Sequence, residues 1–70
     1  MAELPLAPLK RIFKNAGAKR VSDEAMVVLA NNLEAQCSII AENSINMAEH
    51  AGRVTVKDTD VKLAVDTLYD

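Results

Sequence analysis

Apolar residues recur at helical spacing near the start of the chain, around two prolines. Pro5 and Pro8 suit the first turn of a helix, because the N–H groups of that turn have no acceptor within the helix. Gly17 is typical of the position just after a helix ends. The spacing therefore predicts a short first helix that ends at Gly17. Its apolar face consists of Leu9, Ile12, Phe13 and Ala16.

A second and much longer helix is predicted between Ser22 and Gly52. Ser22 has the side chain of an N-cap, and Asp23 and Glu24 favour the positive end of the helix dipole. No proline or glycine interrupts residues 23–51, and Gly52 supplies the stop. The main apolar positions of this helix are Ala25, Leu29, Leu33, Ile40 and Met47, joined by Val28, Ala30, Cys37, Ala41, Ile45 and Ala48.

A third helix, again short, follows a partly β-prone bridge that begins at Arg53. Asp58 and Asp60 supply negative charge to its N-terminus. The chain is therefore expected to be all-α, with a short helix, a loop, a long central helix, a loop and a short helix in a single domain, residues 1–70. The apolar positions of the last helix are Val61, Leu63, Ala64, Val65 and Leu68.

The length of the central helix predicts a dimer. Nearly thirty residues at about 1.5 Å each span roughly 43 Å, whereas a globule of about 70 residues is roughly 28 Å across. A helix that protrudes and is apolar on more than one face needs a partner, and the simplest partner is a second copy of the chain. We expect an intertwined antiparallel homodimer. Its core would contain Leu29, Leu33, Cys37 and Ile40.

Composition supports oligomerisation as the source of stability. The single cysteine excludes a disulfide within the chain, and no Cys/His cluster offers ligands for a structural zinc. A domain of 70 residues buries little apolar surface by itself. Neither a membrane span nor a signal-peptide pattern is seen, so we expect a soluble, intracellular protein that does not bind membranes.

Charge is separated along the chain, although the net charge is only −2. Residues 1–20 carry five Lys or Arg against one Glu, whereas residues 21–52 carry five Asp or Glu and no Lys or Arg. In an antiparallel dimer the start of one central helix lies beside the end of the other. Lys19 and Arg20 of one copy would then approach Arg53 and Lys57 of its partner and form basic patches. Taken alone, these cations fit an ordinary solvated surface equally well.

Two segments of the chain, ELPLAPLKRIFKNAGAKRVSDEA and AEHAGRVTVKDTDVKLAV, closely resemble archaeal histones, and the resemblance extends over nearly the whole sequence. It implies the histone fold, tight dimers and a chromatin protein that binds double-stranded DNA without base specificity and wraps it. It also implies a chromosome-associated, cytoplasmic location. No enzyme activity, cofactor or metal is expected, because no glycine-rich phosphate loop or metal-ligand spacing appears.

The resemblance also implies roles for individual residues. Arg20 would point into the minor groove, Thr55 would stand beside the partner's arginine, and Arg53 would be held by Asp60 of its own chain. Ser22 would lie at a helix start that directs N–H groups at phosphates. The full set of expected DNA-binding residues is Arg11, Lys14, Lys19, Arg20, Ser22, Arg53, Thr55 and Lys57.

Dimers of this family stack, and the resemblance assigns that contact here to Met47, His50, Asp60 and Leu63. His50 and Asp60 would pair across it, which allows tetramers or longer polymers on DNA. Without the resemblance, His50 fits a surface or packing histidine. Cys37, near the middle of the long helix, fits a small core residue better than a redox switch.

Several departures from the family pattern support a second hypothesis. Val54 and Met26 occupy places where basic residues are common, the central helix lacks any cation, and Asp66 and Asp70 close an end that is often basic. Each lost phosphate contact would lower the salt dependence of DNA binding by about 0.9 in slope. The alternative is a weakly binding histone variant that heterodimerises with more basic paralogues or caps their assemblies.

Overall fold

The computed structural model describes residues 4–69, which form three α-helices: α1 (Leu6–Asn15), α2 (Asp23–His50) and α3 (Asp58–Tyr69). No strand occurs within this range. The predicted order of short, long and short helix is therefore confirmed. The chain divides into two compact units, Met1–Ala35 and Gln36–Asp70, and α2 contributes residues to both. Asp70, noted above for its charge, lies outside the described residues.

Helix α1 begins after Pro5 and ends in a tight backbone motif. The N–H of Ala18 donates to the carbonyl of Phe13, and the N–H of Gly17 donates to the carbonyl of Lys14, each over 3.0 Å. Gly17 has φ +114°, a left-handed conformation that side chains oppose. This pair of bonds is the Schellman arrangement, and it explains why the chain leaves the helix at the predicted glycine.

The C-terminus of α2 repeats this arrangement at Gly52. The N–H of Arg53 donates to the carbonyl of Ala48, and the N–H of Gly52 donates to the carbonyl of Glu49, both over 2.9 Å. Gly52 has φ +74°, and the predicted stop is confirmed. Arg53 therefore leaves the helix from a backbone position fixed by a hydrogen bond.

The N-termini of α2 and α3 are capped by side chains. The Ala25 N–H donates to Ser22 Oγ over 3.1 Å, as expected for an N-cap serine. At α3 the acceptor side chain lies inside the helix, because the N–H of Lys57 donates to Asp60 Oδ2 over 2.8 Å. Asp60 thus satisfies a backbone donor just before α3, where its charge is also favoured by the helix dipole.

The described chain buries few apolar side chains by itself. The buried ones are Met26 and Ala30 in the first unit, and Ala48 and Ala64 in the second. Three of these four are alanines, so they remove little apolar surface from water. By contrast, many large apolar residues are exposed: Leu4, Ile12, Phe13, Val27, Val28, Ile39, Ile45, Val54, Val56, Val61, Leu63 and Tyr69.

Burial in the single chain separates residues that a second copy can reach from one that the chain covers itself. Leu29, Leu33 and Ile40, expected in the dimer core, are half-buried, and Cys37 is exposed. The resemblance places Met26 where a basic residue is common, yet its side chain is 1% exposed in this chain. An apolar side chain is what that buried place requires, so Met26 belongs to the core rather than to the charged surface.

Candidate nucleic-acid interface

A basic concave surface lies on the first unit, where the end of α1 meets the loop before α2. Lys14 belongs to the last turn of α1, and Lys19 and Arg20 belong to the loop that follows Gly17. All three cations are exposed. The residues that line this surface are Lys10, Lys14, Lys19, Arg20, Val21 and Ser22.

The start of α2 opens onto the same concave surface. Ser22 lines it and caps the helix, so the hydroxyl oxygen already accepts one of the N–H groups of the first turn. The remaining donors of that turn have no acceptor within the helix and carry its positive partial charge. Cations beside a helix N-terminus form an arrangement suited to a phosphate group.

Lys10 is engaged differently from its basic neighbours. Its ammonium group forms an ion pair with the carboxylate of Asp23, and the Lys10 side chain is about one-third exposed. Lys10 was not among the expected DNA-binding residues, and the ion pair holds it against the acidic start of α2. Arg11, which was expected there, is exposed on α1 but is not one of the residues that line the concave surface.

The second unit contains a pinned loop between α2 and α3. Arg53 donates from Nη1 and Nη2 to the two carboxylate oxygens of Asp60, over 2.9 and 2.8 Å. Arg53 Nη1 also donates to the backbone carbonyl of Thr55 over 2.9 Å. The Arg53–Asp60 ion pair that the resemblance implies is thus present, and it is bidentate, the geometry in which Arg–carboxylate pairs are strongest.

Electrostatics favours the charged form of both partners in this pair. The hydrogen bonds from Arg53, followed by that from the N–H of Lys57, lower the pKa of Asp60 to about 2, although burial opposes them. The hydrogen bond to Asp60 raises the pKa of Arg53 above its ordinary value. Asp60 is only 5% exposed, so this carboxylate is a structural anchor rather than a surface charge.

The rest of this loop faces solvent. Thr55 and Lys57 are exposed, and Val54 between Arg53 and Thr55 is 100% exposed. The sequence analysis expected Thr55 to stand beside the partner's arginine. In the structure the backbone carbonyl of Thr55 also accepts a hydrogen bond from Arg53 Nη1. No sequence signal identifies such a carbonyl, because every residue has one.

A groove in the second unit brings together all four residues that were expected to join dimers. Met47 is half-buried, His50 and Leu63 are exposed, and Asp60 forms part of the groove beside Arg53. The complete lining is Asn43, Asn46, Met47, His50, Ala51, Arg53, Asp60, Leu63 and Thr67. One wall comes from α2 and the other from α3 and the loop.

Two further contacts were not foreseen from the sequence. Ser44 is buried and donates its hydroxyl to the carbonyl of Ile40 over 2.7 Å. Tyr69 donates its hydroxyl to Gln36 Oε1 over 2.5 Å, which ties the end of α3 to the middle of α2. The Ser44 bond is local to α2, a common alternative for a serine in a helix, whereas the Tyr69 bond depends on how α3 packs against α2.

Comparison with known proteins decides the family. The family described as "Histone-like transcription factor (CBF/NF-Y) and archaeal histone" matches residues 2–65. The chain belongs to this family. It is 49% identical to one of the subunits of archaeal histone HAN1 from Thermococcus zilligii and 52% identical to "Probable archaeal histone 3" of Methanocaldococcus jannaschii. Each match covers 65 residues, 93% of this chain and 97% of the relative.

Membership of the archaeal histone family agrees with the three helices and identifies the fold as the histone fold. Membership of this family also supports a DNA-binding chromatin protein. The family is a structural rather than an enzymatic one. Within residues 4–69 no group of His, Cys, Asp or Glu is arranged to hold a metal ion. The helices described in that range are all too short or too polar to cross a membrane.

Proposed function

We propose that this chain forms a homodimer that binds double-stranded DNA without base specificity and compacts it. The observation that carries the proposal is the exposed group of Lys14, Lys19 and Arg20 around the capped start of α2. Cations and helix N–H groups bind phosphates and carry no information about the base sequence. The expected contact is therefore with the DNA backbone and the minor groove.

Apolar side chains that are exposed in the single chain support the dimer. The buried apolar residues of the chain are mostly alanines, whereas Val27, Ile39 and Ile45 of α2 are exposed. A second copy that crosses α2 antiparallel would cover such residues and form an intertwined dimer. Half-buried Leu29 and Leu33 become fully buried in this arrangement, with Cys37 and Ile40 near the two-fold axis.

Each basic region has a distinct task in the proposed complex. Arg20 enters the minor groove, where it responds to groove width rather than to base identity. Thr55 stands beside the partner's Arg20. Arg53 uses three of its five guanidinium N–H groups on Asp60 and Thr55, and the other two are offered to the DNA backbone. Arg53 also fixes the loop from which Lys57 reaches a phosphate. The flanking cations Arg11, Lys14 and Lys19 contact the backbone.

Dimers are proposed to stack through the groove of Met47, His50 and Leu63 into tetramers or longer polymers on DNA. The groove offers apolar side chains and an imidazole. Asp60 already accepts three hydrogen bonds, out of the roughly four positions that a carboxylate offers. An imidazole from a second dimer can therefore add a single bond to Asp60 without displacing Arg53.

The alternative is a histone variant that binds DNA weakly and acts by heterodimerising with more basic paralogues or by capping their assemblies. Two observations favour it: α2 carries no Lys or Arg, and the tip of the second loop is the apolar Val54. In either case we expect the protein on the chromosome in the cytoplasm, with histones and DNA as its partners.

A gel shift on random duplex DNA at several salt concentrations tests the proposal. The unaltered protein, Arg20→Ala and Lys62→Ala are compared, since Lys62 is an exposed cation on α3 outside the candidate interface. We expect binding that weakens steeply with salt and is lost in Arg20→Ala but retained in Lys62→Ala. If a folded dimer fails to bind at low salt, the variant that acts through other histones is the correct function.

A further inference from the structure

The tip of the loop between α2 and α3 presents an apolar side chain to solvent in full. Val54 is 100% exposed, more than any other large apolar residue in the described range. Val28, the next, is 70% exposed. Val54 therefore packs against nothing in its own chain, and any packing role it has requires a group outside the chain.

The loop holds Val54 in place from both sides. On one side the N–H of Arg53 is bonded to the carbonyl of Ala48. On the other side the carbonyl of Thr55 accepts from Arg53 Nη1, so the backbone and the side chain of Arg53 together hold the two residues that flank the valine. Valine also has a stiff χ1 angle, which means that little further freedom is lost when it makes a contact. The isopropyl group is thus presented on a fixed backbone.

The place of Val54 within the candidate interface determines what covers it. It lies between Arg53 and Thr55, three residues before Lys57, and so belongs to the loop that the proposed function brings to duplex DNA. An isopropyl group against a phosphate would desolvate the charge without a hydrogen bond, which is unfavourable. The C–H edges of the deoxyribose rings are the apolar surface that every nucleotide offers.

We infer that Val54 is a DNA-contacting residue that packs against deoxyribose, adding an apolar and salt-independent part to the affinity. The inference rests on the proposed function, because it requires that the loop meet duplex DNA. Contact with sugars is available at every step of the duplex, so it fits binding without base specificity. Contact with the thymine methyl group, the apolar feature of the major groove, would instead introduce a base preference.

The experiment measures dissociation constants for Val54→Ala and Val54→Lys, with the unaltered protein and Val28→Ala as references. Val28→Ala makes the same truncation at an exposed valine of α2, outside the loop. Each dimer is titrated with one random duplex and one duplex without thymine, across a series of salt concentrations. Intermolecular NOEs from the Val54 methyl groups to sugar protons are recorded on the unaltered complex.

We expect Val54→Ala to weaken binding about fivefold at every salt concentration and equally on both duplexes, because lost apolar contact releases no counterions. Val54→Lys should steepen the salt dependence by about 0.9 in slope for each chain of the dimer, and Val28→Ala should leave affinity unchanged. NOEs to deoxyribose should appear.

Other outcomes overturn the inference in distinguishable ways. If Val54→Ala binds like the unaltered protein while Arg20→Ala does not bind, Val54 is no DNA contact although the proposed function stands. A loss confined to the duplex that contains thymine places the side chain on a base instead of a sugar. If the unaltered dimer does not bind DNA, the proposed function and the assignment of Val54 both fail. The exposed tip of the loop is then expected to contact a protein.

Discussion

A single carboxylate controls how much positive charge the first basic surface offers. Lys10 is one of the residues that line this surface, but it is paired with Asp23. Asp23 is largely exposed, so the pair is screened by water and contributes little to stability. Its effect on a bound polyanion is larger, because the carboxylate both neutralises a cation and repels phosphate.

Replacing Asp23 by Asn is therefore expected to strengthen DNA binding. The change frees Lys10 and removes a negative charge, so affinity should rise several-fold at low salt and the salt dependence should steepen by up to about 0.9 in slope for each chain of the dimer. Fluorescence anisotropy at several salt concentrations measures both. Glu24→Gln is the matched control, since Glu24 is an exposed acid of the same helix turn. Equal gains from the two variants would mean that general charge, not release of Lys10, is responsible.

Asp60 acts on stability through its ionised form. Its pKa in the folded protein is about 2, below the value of about 3.9 expected in an unfolded chain. A carboxyl group whose pKa is lowered by folding stabilises the fold above its unfolded pKa. That stabilisation is lost as the pH falls from about 4 towards 2.

We therefore expect the thermal midpoint of the unaltered protein to fall as the pH is lowered from about 4 to 2, at fixed protein concentration. Asp60→Asn should have a lower midpoint near neutral pH and a smaller change across the acidic window, because it has no carboxylate to protonate. Asp66→Asn serves as control for an exposed acid of α3. Parallel pH profiles for the unaltered protein and Asp60→Asn would contradict this role.

At the scale of elements, the N-terminus of α2 has both a structural role and a proposed binding role. Ser22 caps α2 and also lies within the basic concave surface. The same helix start therefore contributes to the stability of the chain and to the proposed phosphate contact. A substitution that keeps the cap but changes the charge can separate these two contributions.

Ser22→Asn and Ser22→Asp both retain an N-cap oxygen, so both should fold with nearly unchanged stability, whereas Ser22→Ala should lose about 1 kcal/mol. Only Ser22→Asp adds a negative charge where a phosphate is expected, and it should bind DNA more weakly than Ser22→Asn. Chemical denaturation and gel shifts on the three variants give the two readouts. Equal DNA affinity of the Asn and Asp variants would place the phosphate elsewhere.

At the scale of the whole molecule, stability should depend on a second copy of the chain. The apolar residues buried in the described structure are one methionine and three alanines, too few for a chain of 70 residues to be stable by itself. Association of the exposed apolar faces of α2 would supply what is missing. Folding and dimerisation are then a single equilibrium.

The thermal midpoint is accordingly expected to rise with protein concentration, and sedimentation should detect a dimer without a folded monomer. Cys37 adds a geometric test because it is exposed in the single chain, whereas the proposed dimer places it in the core at the middle of α2. A thiol-specific reagent should therefore react slowly with Cys37 in the native dimer and fast in denaturant. The Cys37→Ser variant should dimerise but give no labelled product. A midpoint that is independent of concentration would rule out obligate dimerisation.

The sequence by itself determined the helices and their ends. Pro5, Ser22 and the two glycines act through the backbone within a few residues of themselves, so their effect does not depend on distant contacts. The family resemblance added the pairing of Arg53 with Asp60, seven residues apart, which the structure contains. The predicted DNA-binding and dimer-joining roles remain predictions, although the residues of the stacking contact do share one groove.

Only the tertiary structure decided which side chains are covered and which partners they find. It buried Met26, engaged Lys10 with Asp23 and left Val54 fully in water. The physical reason is that burial and ion pairing depend on the packing of whole elements, whereas a periodic pattern reports only which residues share a helical face.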